Sequence, residues 1–271
     1  MNVATKLEDV VTKNSVRQSG VIDGPPMLFA HGFGCSQNMW RLVAPQFERD
    51  YRVITFDHVG SGSSDLSAYD RGTYDSLHGY ADDVIDIINA LDLRDVIFVG
   101  HSVGAIIGVL AAAASPELFG KLVLVGPSPR YVNDREYVGG FERDDIDAML
   151  DSVDRNYLGW STAMAPAIMG NADRPELAEE LSSSFCSTDP VIAQHFARVT
   201  FLSDNRADLA AVATPTLIVQ SADDAIAPLS VGEFTRDAID DSRLVVVPAN
   251  GHCLHLSHPD HLVTAIRDFI A

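Results

Sequence analysis

The sequence predicts a mostly parallel, doubly wound α/β sheet into which a block of helices is inserted, and three observations carry that prediction. Short apolar or β-branched runs alternate with helical periodicities through the first half of the chain and again near its end. One of these runs turns at a glycine-flanked serine directly into a long apolar helix. Between residues 128 and 213 the strands stop and only helix-like stretches remain, a length no crossover needs. The implied division is a core of residues 1–127 and 214–271 and a helical cap of residues 128–213. At 271 residues and 46% hydrophobic content the chain can bury a full core.

After a polar start, Pro25-Pro26 leads into Met27-Leu28-Phe29-Ala30, which reads as a buried strand. It ends at His31-Gly32-Phe33-Gly34, where glycines let the backbone approach a bound molecule and leave the Phe33 amide free to donate. A plain glycine-rich turn has the same spelling. Residues 39–47 read as a short helix and 51–56 as a strand. Over 76–91, Tyr80, Val84, Ile87, Ile88 and Leu91 recur at helical spacing with Asp82, Asp83 and Asp86 opposite, which predicts an amphipathic helix.

Next come Val96-Ile97-Phe98-Val99 and the pentapeptide Gly100-His101-Ser102-Val103-Gly104, followed by an Ala/Ile/Leu segment over 105–114. A strand that turns within one residue into a helix forces its central serine into strained backbone angles, and neighbours without Cβ let strand and helix close on each other. The Ser102 hydroxyl is then exposed at a helix N-terminus, and the Val103 amide points to where an oxyanion would form. Leu122-Val123-Leu124-Val125 is another buried strand.

Helix-like stretches then cover 144–154, 159–169, 175–184 and 190–203. Their aromatic and methionine side chains suit an apolar pocket, and Phe33, Tyr131, Trp160, Met164, Phe185 and Phe196 are its candidate lining. The sheet resumes at Pro215-Thr216-Leu217-Ile218-Val219-Gln220, ahead of Asp223-Asp224 and Pro228. A last strand, Leu244-Val245-Val246-Val247, leads to Asn250-Gly251-His252, and a helix over 259–270 closes the chain with Ser257 as N-cap and Asp260 as box partner.

A serine hydroxyl needs a base, and the base needs an orienting carboxylate. Ser102, Asp224 and His252 supply the three in the chain order expected after a nucleophile elbow, each following a strand. Of the adjacent Asp223 and Asp224 only one can face the histidine; Asp224 is preferred, with Asp223 left as a solvated or turn-capping group. His252, His255, His258 and His261 recur every three residues, but the run crosses from loop into helix and no Cys or carboxylate pattern completes a metal set. No metal and no cofactor is expected. His101 reads as structural, and Cys253 as a small packed residue.

The net charge of -19, from 19 basic and 38 acidic residues, repels phosphate backbones and anionic membrane surfaces, so neither nucleic acid nor membrane is an expected partner. No apolar run is long enough to span a bilayer, and Lys6, Glu8 and Asp9 occupy the place of a signal peptide's apolar region. Cys35, Cys186 and Cys253 show no metal-like spacing. Reduced thiols in the cytoplasm are the expectation.

The stretches HGFGCSQNMW (31–40), FDHVGSGSSDL (56–66), VGHSVGA (99–105), VGPSPRYVND (125–134), FCSTDPVIA (185–193), SADDAIAP (221–228) and GHCLHLSHP (251–259) resemble the α/β-hydrolase group that contains the bacterial stress-response regulator RsbQ and the plant karrikin and strigolactone receptors. The resemblance covers residues 28–270 and is nearest to RsbQ in the cap and around the histidine. It implies an α/β-hydrolase fold, a four-helix cap over a small apolar pocket, and slow hydrolysis of a small hydrophobic ester or lactone. By the same match the triad is Ser102, Asp224 and His252, and the oxyanion amides are Phe33 and Val103. It further implies a role in the general stress response beside a PAS-domain serine phosphatase. The competing classes are a ligand-binding signalling module whose triad is spare and a cofactor-free haloperoxidase, which shares the triad. A dehalogenase would need a carboxylate where Ser102 stands.

Overall fold

The structure, a computed structural model, describes residues 3–271; Met1, Asn2 and the side chains up to Leu7, Lys6 included, lie outside the described residues. Seven strands form one sheet: β1 (Arg17–Gly20), β2 (Pro26–Ala30), β3 (Arg52–Thr55), β4 (Val96–His101), β5 (Phe119–Val125), β6 (Thr216–Asp223) and β7 (Ser242–Asn250). Their order is β1-β3-β2-β4-β5-β6-β7, with β1 antiparallel to β3 and every other pair parallel. The mostly parallel α/β sheet expected from the sequence is therefore present. From β2 the chain steps outward to β3 and then back across to β4, so the strand order reverses between β2 and β4. In open α/β sheets a crevice forms at such a reversal, outside the carboxyl ends of the strands.

Both faces of the sheet are covered, which is why its central strands are continuous apolar runs. Leu28, Ile54 and Phe98 pack on one face with helices α2 (Leu77–Ala90) and α3 (Val103–Ala114), through Ile87 and Ile107 among others. Phe29, Val53, Val99 and Val219 pack on the other with Trp40, Phe47, Leu262 and Ile266. Each such side chain taken out of water contributes about 1.5–3 kcal/mol. Helix α3 has no polar face because it is buried nearly all round.

Strand β1 and helices α1 (Val3–Lys13) and α8 (Leu229–Ala238) are additions to the expected pattern. Strand β1, Arg-Gln-Ser-Gly, is an exposed polar edge, and helix α1 precedes it. Lys13 pairs with the buried Asp83 at 2.5 Å, which ties α1 to α2. The expected helix over 39–47 is instead two 3₁₀ turns, Gln37–Trp40 and Ala44–Phe47. Pro45 has no amide hydrogen to give and restricts Ala44, so a continuous α-helix cannot run through.

Between β5 and β6 lie α4 (Arg143–Arg155), α5 (Tyr157–Met169), α6 (Pro175–Cys186) and α7 (Pro190–Phe201). They pack on the loops after β2 and β7: the Phe185 ring abuts Gly34, and the His252 amide donates to the Ile168 carbonyl at 2.9 Å. Helix α8 (Leu229–Ala238) joins β6 to β7. After β7 a single turn, α9 (Leu254–Ser257), precedes α10 (Pro259–Ile270). The Ser257 cap does not form: Ser257 lies inside α9 with its hydroxyl on the Cys253 carbonyl, and His258 stands at the N-cap of α10. Among the described residues no helix is long and apolar enough to cross a membrane.

Candidate active site

Ser102 occupies the turn between β4 and α3 with φ 55° and ψ -124°, a region that side-chain-bearing residues rarely adopt. Its neighbours explain how the turn is held. A Cβ on Gly100 would lie 2.5 Å from the Gly104 carbonyl oxygen, and one on Gly104 would lie 2.4 Å from that of His31. Only glycine permits strand, helix and the β2 loop to approach this closely. The Ser102 amide donates to the Val125 carbonyl at 2.9 Å, which anchors the turn on β5.

His252 follows β7 and Asp224 follows β6, and the structure brings both to Ser102. The Ser102 hydroxyl lies 2.8 Å from His252 Nε2, and His252 Nδ1 lies 2.8 Å from Asp224 Oδ2. All three residues are buried. Asp224 Oδ1 accepts the amides of Ile226 and Ala227 at 2.8 and 3.1 Å, and Oδ2 also faces Gln220 Nε2 at 3.4 Å. With Asp224 Oδ2 accepting from the ring, Nδ1 carries the imidazole proton and Nε2 is left to accept from the hydroxyl. Asp223 is exposed, and its carbonyl receives the Gly251 amide at 2.7 Å.

The loop after β2 lies alongside. A Cβ on Gly32 would stand 3.3 Å from the Ser102 Cβ, and Gly34 takes φ +65°. Neither the Phe33 amide nor the Val103 amide at the start of α3 is engaged in a backbone hydrogen bond among the described residues. Above Ser102 is a cavity of about 60 Å³ with Phe33, Trp160, Met164, Phe185 and Phe201 in its wall. Phe33 is the hub of this wall, with ring centroids of Trp160, Phe185 and Phe201 at 6.2, 6.0 and 5.8 Å. Larger grooves of about 410 and 560 Å³ lie elsewhere, against β7 and α10 and between α5 and α6, and neither reaches Ser102.

Two of the six candidate lining residues stand outside this wall. Phe196 is behind Phe33, packed on Tyr80 at 4.6 Å, so its ring supports the wall without forming it. Tyr131 packs on Phe201 at 4.9 Å and its hydroxyl hydrogen-bonds Ser102; burial pushes that hydroxyl up to about 12, with the Ser102 bond pulling the other way. Phe201, Met149 and Ile168 line the cavity and are not among the six, although Phe201 belongs to the same aromatic series in the sequence.

His101 is buried with its Nε2 on the His252 carbonyl at 3.0 Å and its ring 4.8 and 4.3 Å from those of His252 and His255. Burial holds its pKa far below the ordinary histidine value and brings that of His255 to about 3, so both rings are neutral at pH 7. A neutral His101 leaves His252 without a competing positive charge. Of the histidine run, His255 lies on Trp40 and His258 on His261, and among the described residues no group of His, Cys, Asp or Glu could hold a metal. The three cysteines are free thiols; burial raises Cys35 to about 12 and Cys253 well above the usual thiol value, so neither ionises at pH 7.

Comparison with known proteins agrees with this fold. The α/β-hydrolase fold family matches residues 25–259. A probable esterase of Oryza sativa subsp. japonica is 38% identical over 241 residues, 89% of each chain. A strigolactone esterase of Arabidopsis thaliana is 38% identical over 246 residues, 90% of this chain and 92% of the relative. The solved structure of a hydrolase from Oleispira antarctica has a TM-score of 0.94 at 44% identity and covers 97% of both chains. On the family match and these identities, the chain belongs to the α/β-hydrolase fold family.

Proposed function

We propose that the protein is a serine hydrolase acting on a small hydrophobic ester or lactone. One observation carries the reading: the buried relay from Ser102 Oγ through His252 to Asp224, with both contacts at 2.8 Å, opens onto a narrow aromatic cavity. Ser102 attacks the carbonyl while His252 Nε2 takes its proton, and Asp224 holds the tautomer and stabilises the imidazolium. The Phe33 and Val103 amides receive the oxyanion, each contributing about 10²–10³ in kcat. Proton return from His252 releases the alcohol, and a water activated by the same imidazole then frees the acid.

Residues 128–213 act as a cap that excludes water and selects small apolar acyl groups. Phe33, Trp160, Met164 and Phe185 meet the substrate, with Tyr131 and Phe196 in support. The relatives named as esterases support the ester class. The sequence resemblance to RsbQ supports use of the same site as a sensor in the cytoplasm, coupled to a PAS-domain serine phosphatase. The test is turnover of p-nitrophenyl acetate by the wild type and by Ser102→Ala. Loss of turnover in the variant supports the reading, and retained turnover refutes it. Full rescue of a stress response by Ser102→Ala would separate signalling from catalysis.

A further inference from the structure

The peptide unit bearing the histidine is held from two sides. Its carbonyl accepts from His101 Nε2 at 3.0 Å, which ties it to the serine turn, and its amide donates to the Ile168 carbonyl of α5 at 2.9 Å. The last carbonyls of a helix have no partner within it. In α5 two of them are satisfied from outside the helix backbone, Ile168 by the His252 amide and Met169 by Asn171 Nδ2. The same Asn171 amide group reaches the Asn250 carbonyl at 3.1 Å, while its oxygen accepts from Arg174, whose Nη1 holds the Ser257 carbonyl at 2.8 Å.

The approach at this junction is close. A Cβ on Gly170, which takes φ +62°, would fall 2.8 Å from the Gly251 nitrogen, and one on Gly251 would fall 1.8 Å from the Met169 oxygen. Helix α5 also supplies Trp160, Met164 and Ile168 to the cavity wall. Pro166, which has no amide hydrogen to give, lies between Met164 and the carbonyl that holds His252. The element that lines the cavity is therefore the element that holds the base.

We propose that α5, through the Ile168 carbonyl and the side chain of Asn171, positions His252 for catalysis, so that the triad is competent only while this helix end is seated; Asn171 is the positioning residue. The proposal rests on the hydrolase reading and adds to it a mechanical route from the cap to the base. A displacement on the order of 1 Å at a reacting group costs about 10² in rate. Partial loosening at Asn171 is accordingly expected to cost about tenfold.

The experiment compares wild type, Asn171→Ala and the milder Arg174→Lys. Steady-state hydrolysis of p-nitrophenyl acetate is measured alongside the proton resonance of His252 Nδ1–H. In Asn171→Ala, kcat falls about tenfold with KM within about twofold, and the resonance broadens or shifts upfield; Arg174→Lys shows the same changes at smaller size. Should Asn171→Ala fail to fold, Arg174→Lys carries the test alone. Folded variants with wild-type kcat and an unchanged resonance overturn the proposal. A wild type with no hydrolysis counts against the hydrolase reading instead. The resonance still decides the positioning claim in that case.

Discussion

Asp224 and His252 share a hydrogen bond of 2.8 Å in which the carboxylate's other oxygen is committed to the Ile226 and Ala227 amides. Asp224→Asn keeps the shape but presents an amide group to the ring, which favours the tautomer with its proton on Nε2. That tautomer cannot accept from Ser102. Ester hydrolysis is expected to fall about 10⁴-fold with little change in KM, read by steady-state kinetics. A loss under about tenfold would mean that another group orients the imidazole.

The backbone at Ser102, φ 55°, stores strain of about 1–3 kcal/mol. Ser102→Gly releases it, whereas Ser102→Ala removes the same hydroxyl and keeps Cβ. Allowing for the entropy of glycine, the Gly variant is expected to melt about 2–4 °C above the Ala variant, with both inactive. Differential scanning calorimetry of the pair is sufficient. Equal melting temperatures would deny that the turn is strained.

His31, His58, His101 and His255 are buried, and burial lowers the pKa of each, to about 3 for His255. The folded protein keeps these rings neutral, while in the unfolded chain they take up protons below about pH 6.5. Acidification thus favours unfolding, by about 1.4 kcal/mol per pH unit for each histidine well below pH 6.5, and the histidine contribution is flat above about pH 7. The melting temperature should fall steeply between pH 7 and pH 5, and less steeply in His255→Leu. No change over that interval would contradict the assignment.

Phe185 presses on Gly34 and stacks on Trp160 with centroids 5.7 Å apart, so it limits the depth of a cavity of about 60 Å³. Phe185→Leu should move kcat/KM from p-nitrophenyl acetate toward the butyrate by at least about tenfold, since one methylene in an apolar pocket is worth about 10–200-fold. An unchanged acetate-to-butyrate ratio would mean that acyl groups bind elsewhere.

The serine turn was legible because its causes are local: a continuous apolar strand, two glycines at contact distance and an apolar helix lie within twenty residues of one another. Asp224 and His252 were legible for a related reason, each following a run that reads as a strand. Strand β1 was not, because Arg17, Gln18 and Ser19 carry neither apolar alternation nor β-branched bulk. The 3₁₀ turns read as a helix in the sequence because Met39, Val43 and Phe47 keep helical spacing, while Pro45 breaks the backbone pattern. What the sequence could not disclose was contact between distant segments. The Ile168 carbonyl under His252, and Phe196 standing behind the cavity wall, depend on how the helices after β5 settle on the sheet.

The most direct test of the account is mass spectrometry of the protein after exposure to diethyl p-nitrophenyl phosphate, which transfers a diethylphosphoryl group to an activated serine. The account predicts a single adduct on the peptide containing Ser102, loss of ester hydrolysis in step with its formation, and no adduct in Asp224→Asn on the same timescale. Hydrolysis that persists with Ser102 unmodified, or inactivation through an adduct on another residue, would contradict it.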